Sequence, residues 1–436
     1  MRAKIEKLVY GGEGLAHENG ETLFVPFVLS GEEIDVEITE RKKKLLRGRT
    51  TQVLKASPHR VEPRCPHFGV CGGCDYQHIS YDTQLEIKEE ILRETLRRIG
   101  RVDWKERITV HGSPPWEYRN RAQWKVRSLA SLRAGLHPTE AGSSIGYFQT
   151  RSSVLCPVKT CSIISPKLLA TFQALRAALA NGKLPSTVRE VEVFADASDT
   201  ELLLTVSCSS VPRSPEPLLQ TLVQMLPAAK SILLRDVAGA RMALLGPGFL
   251  QYDVLRKRFR VGQLSFFQVN RFLVDELAGT VAAVSGSGDL AFDLYAGVGL
   301  LTAFLADHFS KVVAVEADPA SARDLESVGR SSGDAIAVHN HSASLFLSDW
   351  KRKRSARAPD AVVVDPPRAG LEESVAEQLT TLAPRRIVYV SCDPSTLARD
   401  LAKLLSGAHT LREIHLFDMF PQTYHIESVV LLERAP

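Results

Sequence analysis

The densest chemical signal in the sequence is a group of cysteines. Cys65, Cys71 and Cys74 fall in RCPHFGVCGGCDYQH, where glycines allow the backbone to wrap closely around a bound group. Three thiolates are one short of a tetrahedral site, and Cys156 and Cys161 are both candidates for the fourth ligand. Four thiolates suit zinc or an iron–sulfur cluster. A triplet plus one remote cysteine favours a [4Fe–4S] cluster over the paired spacing of structural zinc sites, and zinc stays open as the alternative.

A further cysteine, Cys392, has the position of a reactive thiol. It follows the apolar run RIVYVS, and Asp393 with Pro394 has the pattern of a helix start. A thiol between a strand end and a helix N-terminus has a lowered pKa and faces the ligand crevice of a parallel sheet. The position therefore favours a nucleophile over a structural cysteine.

Several motifs at predicted strand ends indicate a nucleotide-like cofactor. The segment DLYAGVG, residues 293–299, ends an apolar run, and its glycines permit close approach of a ligand. Glu316 ends the next run, where a carboxylate accepts hydrogen bonds from ribose hydroxyls. A dinucleotide-binding fingerprint would have a third glycine at position 302, where this sequence has Thr302. S-adenosylmethionine is therefore the ligand that competes with a dinucleotide for this layout. Asp365 ends a third run in VDPPR, and Arg368, where amine methyltransferases have an aromatic residue, argues against methylation of amines.

The surrounding elements predict how these motifs are positioned. Helices alternate with apolar strands over residues 266–436, which predicts a doubly wound, Rossmann-like α/β domain. Short alternating strands in residues 1–56 predict a small β-barrel of the oligonucleotide-binding kind. Residues 57–265 form the predicted central α+β domain, with the cysteine loop and helices over 82–99 and near 166–180.

Two basic segments suggest RNA as the partner. RKKKLLRGR, from Arg41 to Arg49, is predicted to be the turn between the last two barrel strands. Residues 97–133 carry ten Lys/Arg against three acids, together with Trp104, Trp116 and Trp124. Cations interleaved with aromatic rings suit phosphate contact and base stacking on single-stranded RNA. The alternatives are a solvated loop for the first segment and, for the second, a strand pair with tryptophans in the core.

Composition places few further limits on the protein. The 436 residues are 44% apolar and 24% charged, with a net charge of +4, which is ordinary for a globular chain of several domains. The sequence has no run of about twenty apolar residues and its first residues lack an apolar signal segment, so we expect a cytoplasmic protein without a membrane span. Cytosolic cysteines seldom form disulfide frameworks. We expect a monomer.

Taken together, these motifs resemble the RNA 5-methyluridine (uracil-C5) methyltransferase family that carries an N-terminal TRAM domain. The resemblance runs in order from about residue 65 to the C-terminus, and residues 1–56 match only in general character. The matching segments are CPHFGVCGGCDYQH, LSFFQVN, FDLYAGVGLLT, VVAVEAD, VDPPRAGL, YVSCDPSTLARD and FDMFPQTYHIES. Ribosomal-RNA members have the cysteine cluster, which implies 23S ribosomal RNA as the substrate.

The resemblance implies a role for each matching residue. Cys392 would be the nucleophile and Glu427, in TYHIES, the base. The residues that would contact S-adenosylmethionine are Gln268, Tyr295, Glu316 and Asp365. The residues that would bind a [4Fe–4S] cluster are Cys65, Cys71, Cys74 and Cys161. Cys161 is preferred to Cys156 because CSIISPKL fits the family's cysteine, apolar residues and proline better than CPVKT.

The implied chemistry is consistent with the residues present. Uracil C5 is too weakly nucleophilic to attack a sulfonium methyl group until a thiolate adds to C6, which splits one hard step into two. A base must then remove the C5 proton so that the thiolate can leave. The alternatives are a cytosine-C5 methyltransferase, or a non-catalytic factor that binds or assembles ribosomal RNA.

Overall fold

The computed structural model describes residues 1–128, 143–239, 242–352 and 357–434. Its N-terminal part is a six-stranded barrel-like sheet. Its strands are β1 (Arg2–Lys4), β2 (Lys7–Leu8), β3 (Glu13–Glu18), β4 (Glu21–Pro26), β5 (Glu33–Lys42) and β6 (Leu45–Lys55). They pair in the order β1-β5-β6-β4-β3-β2. Alternating apolar side chains such as Leu23, Val25 and Ile34 are fully buried between them, as the period of two predicts.

The basic segment of this barrel is a hairpin and not an open loop. β5 and β6 extend through most of Arg41–Arg49, and only Lys43 and Lys44 form the turn. Arg41 and Arg49 are paired with Glu21 and Glu37. The predicted long turn is therefore wrong, because cross-strand pairs with acids keep these residues in strands. The lysines at the tip remain exposed.

A long helix and a mixed sheet follow. Helix α1 (Tyr81–Arg98) agrees with the predicted 82–99, and strand β7 (Thr109–His111) comes next. The central sheet has the order β10-β9-β8-β11-β12-β13-β14. Its elements are β8 (Arg121–Ser128), β9 (Ser143–Phe148), β10 (Leu155–Pro157), α2 (Pro166–Ala180), β11 (Val188–Ala195), β12 (Leu202–Cys208), α3 (Glu216–Met225), β13 (Ala229–Asp236) and β14 (Met242–Leu245). A separate hairpin, β15 (Phe249–Val254) with β16 (Lys257–Gly262), leads to the last part of the chain.

The tryptophans of the basic stretch belong to cores. Trp124 is completely buried against Phe172 of α2, and its indole N–H donates to the Tyr147 hydroxyl at 2.9 Å. Trp116 is partly buried against the same apolar cluster as Trp124, and Trp104 is partly buried against another cluster. The expectation that these rings stack on RNA bases is wrong for Trp124, which has no exposed face. Residues 129–133 of this stretch lie outside the described residues.

The C-terminal part is a doubly wound eight-stranded sheet of order β19-β18-β17-β20-β21-β23-β22-β7. Its elements are α4 (Val274–Ser285), β17 (Gly288–Leu294), α5 (Leu300–Leu305), β18 (Phe309–Val315), α6 (Pro319–Ser331), β19 (Ile336–His339), α7 (Ala343–Arg352), β20 (Ala361–Val364), α8 (Glu373–Leu382), β21 (Arg386–Ser391), α9 (Pro394–Leu404), β22 (His409–Phe417) and β23 (Glu427–Arg434). β23 is antiparallel to its neighbours, whereas β17, β18, β20 and β21 are parallel. The predicted α/β fold class is thus confirmed.

The edge strand of this sheet comes from far away in the sequence. β7 pairs in parallel with β22, and α1 packs against α9. β7 and α1 nevertheless precede the central sheet in the sequence. The domain boundaries at 56/57 and 265/266 stay predictions. In the described part of the chain, no helix is both long and apolar enough to cross a membrane.

Candidate active site and cysteine cavity

Most of the predicted site residues lie at one edge of the C-terminal sheet. Tyr295 follows β17, Glu316 follows β18, Asp365 follows β20 and Cys392 follows β21. Because these four strands are parallel neighbours, their carboxyl ends meet at the same edge. The order of the strands therefore gathers side chains that are widely separated in the sequence.

The antiparallel strand β23 brings Glu427 to the same edge. Its register pairs Ser428 with Ser391, so Glu427 and Cys392 are the next residues along the two strands. Glu427 is only 4% exposed, and Cys392 is half-buried. A thiol and a carboxyl group thus lie side by side at the end of a rigid strand pair.

The surroundings of Cys392 and Glu427 raise the pKa of both side chains. Burial, and then the nearby Glu427 and Asp365, raise the pKa of the Cys392 thiol to about 12, while Arg368 opposes the rise. Burial and Asp365 raise the pKa of Glu427 well above its usual range. Burial and the two carboxyl groups thus act on this thiol in the direction opposite to the lowered pKa that its place before a helix N-terminus predicts.

The neighbouring end of the crevice gathers three acidic side chains. Burial, with Asp293 and Glu316, raises the pKa of Asp365 to about 7. Burial, with Glu316, raises the pKa of Asp293 to about 7 as well. One buried carboxylate oxygen of Asp293 and the Tyr295 hydroxyl have no hydrogen-bond partner among the described residues. Buried polar atoms without partners and crowded carboxyl groups suit a cationic ligand.

The glycine-rich turn after β17 is tied to Glu316. Gly297 N–H donates to one carboxylate oxygen at 2.8 Å, and Asp318 N–H donates to the other at 2.7 Å. Gly299 has φ +90°, and a Cβ there would lie 2.7 Å from Leu325, so the turn requires glycine. These bonds fix the Glu316 carboxylate, and the remaining lone pairs of its oxygens are available to a ligand.

Gln268 lies apart from the strand ends, in the segment between β16 and α4. It is 8% exposed, and its backbone oxygen accepts a hydrogen bond from the Asn120 side chain at 3.1 Å. Among the described residues, no hydrogen bond joins the Gln268 side chain to the strand-end group. Its predicted contact with the cofactor therefore stays a prediction.

The four predicted cluster cysteines line one cavity of about 550 Å³ between the barrel, the central sheet and the C-terminal part. These residues are Cys65, Cys71, Cys74 and Cys161. Cys156 does not line the cavity but lies beside Cys71. In the described ranges, no group of three or more His, Cys, Asp or Glu side chains is arranged to hold a metal ion.

Cys74 is buried, whereas Cys65, Cys71 and Cys161 are partly exposed. Burial raises the pKa of Cys71 to about 12 and raises that of Cys74 well above its usual range. A Cβ at Gly72 would lie 3.1 Å from the Phe148 carbonyl oxygen, so a larger residue there would press on the backbone of β9. Four neighbouring thiols are the donor set that a [4Fe–4S] cluster requires. The residues present therefore fit such a group chemically.

Sequence reasoning missed the residues that hold the segment before Glu427. The Gln84 side-chain amide donates to the Gln422 side-chain oxygen at 3.1 Å, and the Gln84 side-chain oxygen accepts from the Gln422 backbone N–H at 3.0 Å. Lys88 donates to Asp418 at 2.6 Å, and both side chains are fully buried. The signal was available, because Gln84 and Lys88 are four residues apart on the face of α1 that also buries Ile91.

The cysteine loop is joined to the same segment. The backbone N–H groups of Asp75 and Tyr76, directly after Cys74, both donate to the Gln422 carbonyl oxygen at 2.9 Å. Tyr118 donates from its hydroxyl to the Pro421 carbonyl oxygen at 3.1 Å. The cavity and the strand-end group are therefore connected through one short stretch of backbone.

Two family models match parts of the chain. One is described as tRNA (Uracil-5-)-methyltransferase and matches residues 250–435. The other is described as TRAM domain and matches residues 1–51. The two matches correspond to the doubly wound sheet with its preceding hairpin and to the six-stranded barrel.

Similar proteins extend over the whole chain. An "Uncharacterized RNA methyltransferase" of Aquifex aeolicus is 31% identical, over 99% of this chain and 98% of its own length. The 23S rRNA (uracil(1939)-C(5))-methyltransferase RlmD of Alkalilimnicola ehrlichii is 30% identical, over 99% of this chain and 96% of its own. The crystal structure of Pyrococcus abyssi tRNA (uracil-54, C5)-methyltransferase in complex with S-adenosyl-L-homocysteine superimposes with a TM-score of 0.75 at 24% identity, over 99% of this chain and 100% of that chain. The last similarity shows a shared fold.

Proposed function

This chain belongs to the family of S-adenosylmethionine-dependent uracil-C5 RNA methyltransferases with a TRAM domain, and on that basis we propose that it converts a uridine of 23S ribosomal RNA to 5-methyluridine by covalent catalysis. The observation that carries the proposal is the position of Cys392 beside Glu427, one residue beyond the Ser391–Ser428 pair, at the carboxyl edge of the parallel sheet. The name of the Alkalilimnicola ehrlichii relative supports ribosomal RNA as the substrate.

Cys392 is the nucleophile in this proposal. Its thiol first gives up its proton to solvent water, and the nearby Arg368 guanidinium, which lowers the pKa of the thiol, favours the resulting thiolate. The thiolate adds to C6 of the uracil ring, and the electron pair displaced toward C5 makes that carbon nucleophilic. C5 then takes the methyl group from S-adenosylmethionine, which leaves as S-adenosylhomocysteine. Access to C6 requires the target base to leave its stack.

Glu427 completes the reaction as the base. Its carboxylate removes the proton from C5, the electrons of that C–H bond re-form the C5–C6 double bond, and the C6–S bond breaks to release the Cys392 thiolate. Since burial raises the pKa of Glu427, the deprotonated carboxylate is a strong base in this site. Its place beside Cys392 supports this role, because the base that deprotonates C5 must lie close to the sulfur that binds C6.

The acidic strand ends and Gln268 bind the cofactor in this proposal. S-adenosylmethionine carries a permanent sulfonium charge, which the Asp365 and Glu316 carboxylates complement. Glu316 also has free lone pairs for the ribose hydroxyls. The Tyr295 hydroxyl, which has no partner among the described residues, supports a polar contact at the same edge.

We further propose that Cys65, Cys71, Cys74 and Cys161 hold a [4Fe–4S] cluster. The three loop cysteines and Cys161 would hold the cluster, and it would serve there as a covalent support for the cysteine loop. Anaerobically purified protein should then contain about four iron atoms per chain. Cys161→Ser should lose the iron, and Cys156→Ser is the matched control that should keep it, because Cys156 lies outside the cavity lining. Zinc without iron, or iron loss only in Cys156→Ser, would overturn the assignment.

The function is tested by nucleoside mass spectrometry. Purified protein is incubated with isotopically labelled S-adenosylmethionine and with either a 23S ribosomal RNA fragment or transfer RNA. We expect labelled 5-methyluridine from the ribosomal fragment, and none from Cys392→Ala, which should still bind the RNA. Labelled 5-methylcytidine would show the cytosine reaction instead, and product only from transfer RNA would overturn the ribosomal substrate.

A further inference from the structure

The N-terminal barrel reaches the strand end that carries Cys392. Tyr10 lies in the turn between β2 and β3, and its hydroxyl donates to the Asp393 carboxylate at 3.1 Å. Asp393 directly follows Cys392 in the chain. The bond therefore connects a residue near the start of the barrel to the turn that presents the thiol, 383 residues later.

The two carboxylate oxygens of Asp393 have different partners. One oxygen accepts from the backbone N–H groups of Ser395 and Thr396 at 2.8 and 3.1 Å, and so caps helix α9. The other oxygen accepts from Tyr10. Burial and Asp393 raise the pKa of the Tyr10 hydroxyl, so it keeps its proton and remains the donor. The Asp393 side chain is thus fixed at both oxygens.

The same barrel turn also packs on the segment before Glu427. The Tyr10 ring meets the Tyr424 ring edge-on, with centroids 5.6 Å apart. Gly12 has φ +83°, and a Cβ there would lie 3.2 Å from the Tyr424 ring. The turn therefore touches both chain segments that carry the proposed catalytic side chains.

Ion pairs hold the barrel in this place. The buried Glu13 accepts from Arg47 of the barrel at 2.6 Å and from Arg151, beside the central sheet, at 2.7 Å. Lys7 donates to Glu94 of α1 at 2.5 Å. The position of Tyr10 is consequently set by the docked barrel as a whole.

We propose that Tyr10 is a positioning residue for the methyl-transfer reaction, which holds the Ser391–Asp393 turn so that the Cys392 sulfur faces C6 of the target base. This inference rests on the proposed function of Cys392. It gives the barrel a second task besides RNA capture, since removal of the barrel also removes a support of the nucleophile.

The test is Tyr10→Phe, which keeps the ring against Tyr424 and removes only the hydroxyl. The loss of a hydrogen bond to a charged group should slow covalent addition about tenfold. Addition is measured as the rate of adduct formation with RNA that carries 5-fluorouridine at the target, at saturating RNA and cofactor. RNA affinity should stay within about twofold of the wild-type value. An unchanged addition rate would overturn the proposal.

Tyr389→Phe is the matched control. It also removes a tyrosine–aspartate hydrogen bond of the β21–α9 unit, 2.7 Å to Asp400, but one that does not involve Asp393. It should lower the melting temperature without slowing addition. Equal slowing in both variants would show a general loss of stability and overturn the specific role of Tyr10.

A double-mutant cycle with Asp393→Asn identifies the partner of Tyr10. Asparagine still caps a helix, so α9 should remain intact. If Tyr10 acts through Asp393, Tyr10→Phe should have little further effect in the Asp393→Asn background, whereas additive effects would contradict the proposed route. A wild-type protein that forms neither adduct nor 5-methyluridine would contradict the proposed function itself. Failure of the proposed function is thereby distinguished from failure of the role given to Tyr10.

Discussion

Glu427 and Cys392 separate two steps of the proposed reaction. Glu427→Gln keeps the size and hydrogen bonding of the side chain but removes the base, so addition and methyl transfer should proceed while elimination stalls. A protein–RNA adduct with methylated C5 should accumulate and survive denaturing electrophoresis. Cys392→Ala is the control that should give no adduct. An inactive Glu427→Gln without adduct would assign the carboxyl group to an earlier step.

Asp365 should make cofactor binding dependent on pH. Burial and neighbouring acids raise the pKa of Asp293 and Asp365 to about 7, so both carboxyl groups gain protons as the pH falls below that value. A sulfonium cation is attracted only to the ionised forms, and calorimetry should therefore show that affinity for S-adenosylmethionine rises between about pH 6 and pH 8. Asp365→Asn should flatten this dependence. An affinity of the wild-type protein that is constant over the range would contradict the role of these acids.

Helix α1 depends on a buried ion pair that crosses the molecule. Lys88→Met should leave the fully buried Asp418 without its cation and destabilise the protein by about 3–5 kcal/mol, as measured by denaturant unfolding. The matched control is Lys105→Met, because the Lys105–Asp103 pair is exposed and should contribute about 0–1 kcal/mol. Similar losses of unfolding free energy in both variants would show that the buried pair stabilises the protein no more than an exposed pair does.

The strand-end residues were predictable from the sequence because a parallel sheet places the ends of apolar runs at one edge. Asp365 and Cys392 needed no knowledge of distant contacts. The partners Gln84 and Gln422 could not be predicted in this way, since their bond joins positions 338 residues apart. Trp124 illustrates a different limit: a tryptophan in an alternating strand fits a core and an RNA-stacking surface equally well, and only the packing of α2 decides.

The arrangement of the whole molecule predicts two separable losses when residues 1–56 are deleted. RNA affinity should fall and its salt dependence should flatten, because fewer phosphate contacts release fewer counterions. The methyl-transfer rate at saturating RNA should also fall, because Tyr10 is removed with the barrel. The sequence alone predicts little change in this step, since Cys392 and Glu427 belong to the other half of the chain.

A triple variant of the exposed hairpin tip separates the two effects. Changing Lys42, Lys43 and Lys44 to alanine should reduce only the affinity and the slope of log affinity against log salt, and should leave the methyl-transfer rate unchanged. The slope should become shallower by about 0.7 for each phosphate of a single RNA strand that the tip no longer neutralises. Unchanged affinity and slope would mean that the hairpin tip does not bind RNA.

The pairing of β7 with β22, and of Lys88 with Asp418, has a consequence during protein synthesis. Lys88 is made 330 residues before its partner. At about 5–20 residues per second, the ribosome needs roughly 15 to 65 seconds to cover that distance. During this interval α1 has an uncovered lysine and the apolar side chains Leu92 and Leu96, which later become fully buried. The catalytic sheet is therefore the last part of the molecule to close, and the nascent chain must keep α1 from other partners until β22 has emerged.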